Sequence, residues 1–193
     1  MKVLLLDMDG PLADLDLHFW NQVQKQVPLD IKSLSEQRHR YLSDHVLAPH
    51  RRASRRLVET PGWFRALPVT EGAQEGVQAL LESFDVWVCS KPLNASPTCC
   101  DEKRAWLAEH FPDLRSKLIL ASDKSMICGD YLLDDAPKLH WIDSATWEPI
   151  IFTRPFNSRP ESELAFLTHF AWGADLKEVL NGHHENWTNS DLF

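Results

Sequence analysis

The sequence lacks any long apolar segment and any excess of positive charge. No apolar run approaches the roughly 20 residues that a helix needs to cross a bilayer, and the N-terminal run, residues 3–6, is far shorter than the core of a secretion signal. We therefore expect a cytoplasmic protein that does not enter a membrane. The formal net charge of −8 argues against binding a nucleic acid polymer, which requires a positive surface. It permits a small anionic substrate.

Cysteine pairs with the spacing of a metal site are also missing. Of the four cysteines, Cys99 and Cys100 are adjacent, whereas Cys89 and Cys128 lie in apolar runs. This pattern predicts reduced thiols, as in the cytoplasm. The sequence has no internal repeats, and its 193 residues suffice for one domain with a modest insertion. The oligomeric state stays open, a homodimer included.

From residue 69 onward, short apolar runs alternate with segments of helical periodicity. The predicted strands are residues 3–6, 84–89, 117–120, 131–133 and 149–153, and the predicted helices are 71–83, 101–110, 162–169 and 175–180. Alternation of this kind indicates an α/β fold, with a Rossmann-like parallel sheet flanked by helices. The tail after Gly182 shows no periodicity.

Residues 15–68 interrupt this alternation and predict a small inserted helical cap on a core formed by residues 1–14 and 69–193. Within the cap, helices are expected over residues 15–27 and 33–60. The second stretch is rich in Arg and His, which usually marks a solvated helix face. The alternative is that part of it faces the acidic strand ends and helps to attract an anion.

The first strand ends in two carboxylates, Asp7 and Asp9, before the turn at Gly10 and Pro11. In an open α/β sheet, ligands bind at the carboxyl ends of the strands. Two carboxylates there can hold a divalent cation, and one of them can attack an electrophile. The alternative is an ordinary turn at Asp9 with Asp7 as a strand cap.

Later strands end in groups that suit the same chemistry. Ser90 and Lys91 follow the second strand, Lys103 lies on the next helix, and Asp134 and Asp135 follow a further strand. These ends emerge on one side of a parallel sheet. The acids can share a Mg²⁺ ion, Ser90 can donate a hydrogen bond to a phosphoryl oxygen, and Lys103 can offset its negative charge.

The combination resembles the haloacid dehalogenase (HAD) superfamily, and within it the 5′(3′)-deoxyribonucleotidases. The shared stretches are Asp7-Met8-Asp9-Gly10-x-Leu12-Ala13-Asp14, Pro61-Gly62-Trp63-Phe64, Cys89-Ser90-x-Pro92, Glu102-Lys103-x-Ala105-Trp106, Asp123-Lys124 and Leu133-Asp134-Asp135-x-Pro137. The resemblance covers the predicted sheet and its helices, about two thirds of the chain. It implies a phosphatase that hydrolyses deoxynucleoside monophosphates.

The resemblance also implies roles for individual acids. Asp7 would be the nucleophile that forms a phosphoaspartate, and Asp9 the acid that protonates the leaving sugar oxygen and then activates water. Mg²⁺ would be held by Asp7, by the backbone carbonyl of Asp9 and by Asp135, with Asp134 beside them.

Binding of the substrate would involve the remaining motif residues. The expected phosphate-binding residues are Ser90, Lys91, Lys103 and Lys124. In that family the base is recognised by aromatic residues of the cap, and Tyr41, Trp63 and Phe64 occupy corresponding regions.

At some positions the chain departs from the family. Leu15 replaces a common aromatic residue, Lys91 a common second hydroxyl, Ala136 a usual arginine and Pro11 a usual β-branched residue. These changes leave the phosphoryl chemistry intact and bear on nucleotide preference. The alternatives are the same chemistry on another small phosphate, such as a sugar phosphate, and a non-catalytic regulatory or binding module of the same fold.

Overall fold

The computed structural model describes residues 1–181, which are centred on a six-stranded, wholly parallel sheet. The strands are β1 (Lys2–Leu6), β2 (Phe84–Ser90), β3 (Leu118–Leu120), β4 (Tyr131–Asp134), β5 (Glu148–Phe152) and β6 (Thr168–Phe170). Their order is β3-β2-β1-β4-β5-β6, so β1 lies between β2 and β4. The α/β fold with a parallel sheet is confirmed.

The helices are α1 (Leu15–Val23), α2 (Ala48–Leu57), α3 (Ala73–Leu81), α4 (Cys99–His110) and α5 (Leu139–Ile142), and residues 176–181 are also helical. No helix in this part of the chain is long and apolar enough to span a membrane. Three of the four helices predicted in the core, residues 71–83, 101–110 and 175–180, lie within one or two residues of α3, α4 and the helix at 176–181. The tail after Gly182 lies outside the described residues.

β1 is buried on both faces because its side chains alternate between two apolar clusters. Leu4 and Leu6 belong to one cluster, whereas Leu5 packs with Trp141 and Trp147 in the other. Successive side chains of a strand point to opposite faces, so a continuous apolar run is what a doubly covered strand requires.

The helix predicted over residues 162–169 is wrong. These residues form turns and then enter β6, where Phe170 pairs with Phe152 of β5. A strand here pairs the backbone groups of β5, which a helix would leave open at the sheet edge. Beyond β6, the indole N–H of Trp172 donates to the carbonyl of Pro11 at 2.8 Å, and its ring leaves no space for a side chain at Gly76.

Residues 33–60 are less helical than the sequence predicts. Two short 3₁₀ turns, Leu34–Glu36 and Leu42–His45, precede α2. The fully buried ring of His45 explains the difference: its Nε2 accepts the backbone N–H groups of Arg38 and His39 at 3.0 and 3.3 Å, and its Nδ1 lies 2.6 Å from Asp30. Side-chain bonds to the backbone here replace helical bonds.

The segment 15–68 leaves and re-enters the core at one place. The N–H of Asp14 donates to the carbonyl of Pro68 at 2.9 Å, and that of Thr70 donates to Leu12 at 2.8 Å. The position is that expected for an insertion after β1. That this segment is a separate cap domain stays a prediction.

Candidate active site

Three carboxylates converge at the carboxyl ends of β1 and β4. The two strands are adjacent and parallel, with Leu6 paired to Leu133, so Asp7 and Asp134 end side by side. Asp7, Asp134 and Asp135 each offer an oxygen, and these oxygens all lie within 4.8 Å of one another. Such a set of carboxylates fits a hard divalent cation, because the cation offsets their mutual repulsion.

Lys124 forms ion pairs with two of these acids. Its buried Nζ lies 2.8 Å from Oδ1 of Asp7 and 2.6 Å from Oδ2 of Asp134. Oδ1 of Asp7 also accepts the N–H of Met8 at 2.8 Å, so Oδ2 of Asp7 has no hydrogen-bond partner within residues 1–181. That oxygen is the one available for chemistry.

Burial and charge together set the protonation of this cluster. Burial raises the pKa of Asp7 to about 6 although Lys124 opposes the shift, and burial beside Asp134 and Asp7 raises the pKa of Asp135 well above its usual value. Burial opposes ionisation of Asp134 as well, but its ion pair with Lys124 lowers its pKa. Burial disfavours the Lys124 charge, yet Asp134 and Asp7 raise the pKa of Lys124. Asp134 also accepts the backbone N–H of Ala136, which lowers its pKa further, whereas the neighbouring charges of Asp134 and Asp9 raise the pKa of Asp7.

A second charged group lies beside the first, built from Asp9, Ser90 and Lys103. The fully buried Lys103 of α4 donates to Oδ2 of Asp9 at 2.6 Å and to the Ser90 hydroxyl at 2.8 Å. Oδ1 of Asp9 is buried and has no hydrogen-bond partner among the residues described. One oxygen of Asp9 therefore accepts a hydrogen bond from the Lys103 ammonium group, and the other oxygen is free for an incoming group.

Gly10 allows the turn between these groups. Its φ of +104° favours glycine, and a Cβ there would lie 2.6 Å from Oδ2 of Asp135. A side chain at this position would displace an acid of the cluster. The turn is held by Thr70 and Arg154, which donate to the Gly10 carbonyl at 2.7 and 3.2 Å.

Comparison with known families adds to this geometry. The family model described as "5′ nucleotidase, deoxy (Pyrimidine), cytosolic type C protein" matches residues 1–168. The chain belongs to this nucleotidase family. It is a member of the HAD superfamily and a hydrolase that acts on phosphoric monoesters.

Individual relatives agree with the assignment. The chain is 36% identical over 159 residues to a proposed 5′(3′)-deoxyribonucleotidase of Bordetella pertussis, covering 80% of this chain and 85% of the relative. It is 30% identical over 186 residues to the mitochondrial 5′(3′)-deoxyribonucleotidase of Mus musculus, covering 92% and 84%. A HAD family hydrolase from Deinococcus radiodurans, solved with bound phosphate and sodium, shares the fold with a TM-score of 0.53, 15% identity and 96% coverage of both chains.

Most of the predicted polar residues of this nucleotidase site lie together, but Lys91 does not join them. Asp7, Asp134, Asp135 and Lys124 form one connected group, and Asp9, Ser90 and Lys103 form its neighbour. Lys91 is exposed and makes no ion pair or hydrogen bond within the described chain. The Asp9 carboxylate lies outside the three-carboxylate cluster, and a role for its backbone carbonyl in metal binding stays a prediction.

The predicted aromatic residues differ in their accessibility. Tyr41 is 60% exposed, whereas Trp63 is 7% exposed and packs edge-on against His18 and Phe19. Phe64 is buried, and the Lys103 amine lies 5.0 Å from its ring. Tyr41 is thus open to a ligand, whereas Trp63 and Phe64 pack against the core.

Some residues at the site were missed by sequence reasoning. Asn157 donates to the carbonyls of Asp135 and Phe152, both at 2.8 Å, and Arg154 donates to Gly10 and Asp14. Both follow β5, so their position after a strand is the sequence signal that points to them.

Two further missed residues, Arg40 and Asp16, come from the segment 15–68. Burial lowers the pKa of Arg40, but the negative charges of Asp135, Asp134 and Asp7 outweigh this effect and raise it. The Arg- and His-rich stretch over residues 33–60 therefore contains at least one residue that fits the alternative expectation, in which part of this stretch acts on the acidic strand ends. Burial raises the pKa of Asp16 to about 6, against the opposing effects of Arg154 and a hydrogen bond from Gln37.

Proposed function

We propose that this protein is a Mg²⁺-dependent phosphatase that hydrolyses deoxynucleoside monophosphates to nucleoside and phosphate through a phosphoaspartate on Asp7. The observation that carries the proposal is that two buried lysines each hold one oxygen of these acids: Lys124 holds Oδ1 of Asp7 and Lys103 holds Oδ2 of Asp9, while Oδ1 of Asp9 has no partner in the described chain. Asp7 and Asp9 thus follow the same strand with separate contacts, which suits a nucleophile and a proton carrier.

In the first half of the reaction, Oδ2 of Asp7 attacks phosphorus and the bond from phosphorus to the ester oxygen breaks. Lys124 keeps the Asp7 carboxylate ionised and oriented through its contact with Oδ1. Asp9 gives a proton to the departing oxygen. In the second half, Asp9 takes a proton from a water molecule that attacks the phosphoaspartate, which returns Asp7 and releases phosphate.

Charge on the phosphoryl group is offset by residues of the same pocket. Ser90 and Lys103 lie 2.8 Å apart and are the proposed phosphate-binding pair. Asp7, Asp134 and Asp135 would hold Mg²⁺, which when bound lowers the electrostatic cost of bringing a phosphate to three acids. The fit of these carboxylates to a divalent cation supports this assignment.

For the substrate, the named activity of the relatives from Bordetella pertussis and Mus musculus supports a deoxynucleoside monophosphate. Tyr41 is the proposed contact with the base because it is the exposed aromatic residue of the three. Trp63 would take part only through a rearrangement of its packing against His18. The cytoplasmic location and a homodimer stay predictions.

The test is a screen of the purified protein for release of inorganic phosphate. The substrates are deoxy- and ribonucleoside 5′- and 3′-monophosphates together with sugar phosphates, each with MgCl₂ and with EDTA. We expect Mg²⁺-dependent turnover with a preference for deoxynucleotides. A clear preference for a sugar phosphate would refute the substrate, and no turnover of any phosphate would refute the catalytic proposal.

A further inference from the structure

Four cations act on the carboxylates of the site, and three of them form ion pairs. Lys124 is held by Asp7 and Asp134, and Lys103 by Asp9, all at 2.6–2.8 Å, while Arg154, which acts on Asp135, is held by Asp14 at 3.0 Å. Arg40, by contrast, has no carboxylate within 4.0 Å in residues 1–181, although its charge acts on Asp135. Its guanidinium therefore forms no ion pair within the described chain and has hydrogen-bond donors for an incoming anion.

The backbone that carries Arg40 is fixed by buried polar side chains. Gln37, which is 1% exposed, donates to the carbonyls of His39 and Arg40 at 3.1 and 3.3 Å. The buried His45 accepts the N–H groups of Arg38 and His39. The base of the Arg40 side chain is thus held in place, which reduces the entropy lost when its end binds a ligand.

Arg40 also lines an open cavity of about 730 Å³. One wall consists of Arg38, His39 and Arg40, and another includes Ala136, which directly follows Asp135. Small-molecule sites commonly have volumes of roughly 300–1,000 Å³. Arg40 and the residue that follows Asp135 therefore lie around one space, and the volume of that space suits a nucleotide.

We infer that Arg40 is a substrate-binding residue whose guanidinium binds the phosphate group presented to Asp7. The inference rests on the proposed phosphatase function and adds a residue that the motifs do not contain. A guanidinium can bind two phosphate oxygens at once through parallel N–H donors. The segment 15–68 would then contribute to binding the phosphate as well as the leaving group.

The test compares Arg40→Met and Arg40→Lys with the unchanged protein. We expect Arg40→Met to raise both KM and the inhibition constant for inorganic phosphate by about 10- to 100-fold, the range for hydrogen bonds to charged groups. Because the contact exists before and during the reaction, kcat should change less than KM. Arg40→Lys keeps the positive charge but lacks the parallel N–H donors of the guanidinium. Its KM and inhibition constant should therefore lie between those of Arg40→Met and of the unchanged protein. If Arg40→Met misfolds, Arg40→Lys still tests the contact through a several-fold loss of phosphate affinity.

The matched control is Arg52→Met, which removes the same charge from an exposed position of α2. Calorimetric titration with inorganic phosphate in MgCl₂ measures binding independently of any organic substrate. Equal phosphate affinities in the Arg40 and Arg52 variants would overturn the inference. If the unchanged protein rejects nucleotides while Arg40→Met still loses phosphate affinity, the substrate proposal fails and the role of Arg40 stands.

Discussion

Lys103 and Asp9 form an ion pair of 2.6 Å in which the lysine is fully buried and the aspartate is partly open. The pair fixes the rotamer of Asp9 and keeps its second oxygen available. An acid held in this way can deliver a proton to a leaving group repeatedly without losing its position. The Lys103 ammonium group also donates a hydrogen bond to the Ser90 hydroxyl, at the proposed phosphate position.

Replacing Asp9 by Asn should reduce turnover in a way that depends on the leaving group. Asn keeps the size of the side chain but cannot transfer the proton. We expect a loss of about 10²- to 10⁴-fold for a nucleoside monophosphate and a smaller loss for p-nitrophenyl phosphate, whose leaving group needs less protonation. Steady-state rates for the two substrates give the comparison, and equal losses would contradict the acid role.

Replacing Asp7 by Asn should abolish turnover of both substrates, because the amide cannot form the phosphoaspartate. The control is Asp101→Asn, which changes the same residue type at a side chain that is 83% exposed on α4. That control should keep its activity. Mg²⁺-dependent activity near the unchanged level in Asp7→Asn would exclude the covalent mechanism.

Glu102 should matter for stability because it binds the turn that ends the segment 15–68. Its carboxylate accepts the N–H groups of Gly62, Phe64 and Arg65 at 2.6, 2.9 and 3.3 Å. Removing an acceptor from such donors costs about 1–3 kcal/mol. In a chain of this size that is roughly 2–4 °C in Tm for each kcal/mol. Thermal unfolding of Glu102→Ala measures the effect.

The control for Glu102 is Glu109→Ala on the same helix. Glu109 also contacts Arg65, but through an exposed ion pair with its side chain. Exposed pairs contribute about 0–1 kcal/mol, so the Tm should change little. Equal changes in Tm for the two variants would show that the backbone contacts of Glu102 add nothing.

The pH dependence of stability should change when Asp16 is replaced by Asn. Burial raises the pKa of Asp16 to about 6 in the folded protein, whereas an unfolded Asp titrates near 3.9. The folded state therefore binds the proton more tightly, and stability contributed by this group is present below about pH 4 and is lost as the pH rises through about 6.

Asn at position 16 carries no charge, so its variant does not lose this stability as the pH rises. Asp16→Asn should be more stable than the unchanged protein at pH 7, by about 1–3 kcal/mol, and should show no such gain at pH 4. Chemical denaturation at the two pH values measures the difference. A gain of the same size at both would rule out ionisation of Asp16 as its cause.

Much of the core and the two charged groups follow from local sequence. The apolar run before Asp7 predicts a strand buried on both faces, and parallel pairing alone then brings Asp7 next to Asp134. The sequence also places Ser90 and Lys103 at this edge. It does not show that Lys103 binds Asp9 while Lys124 binds Asp7, because that choice depends on how two buried amines pack between strands.

Features that depend on tertiary contacts or on buried polar side chains were missed. β6 forms because an edge of β5 is open to it, and nothing within residues 162–169 reports that edge. The turns around Arg40 exist because a buried His45 binds the backbone N–H groups of Arg38 and His39. Helical periodicity cannot reveal such a bond, so the turns that carry Arg40 could not be predicted from the sequence.

The contact between Trp172 and Pro11 has a consequence for how the protein becomes active during synthesis. The acids of the site have all been translated by residue 135, but the indole that holds the loop after Asp9 comes 37 residues later, by the numbering of Asp135 and Trp172. A nascent chain that stops short of Trp172 therefore has every acid but lacks one of the contacts that hold its nucleophile loop. Full phosphatase activity should accordingly appear only after Trp172 has been translated.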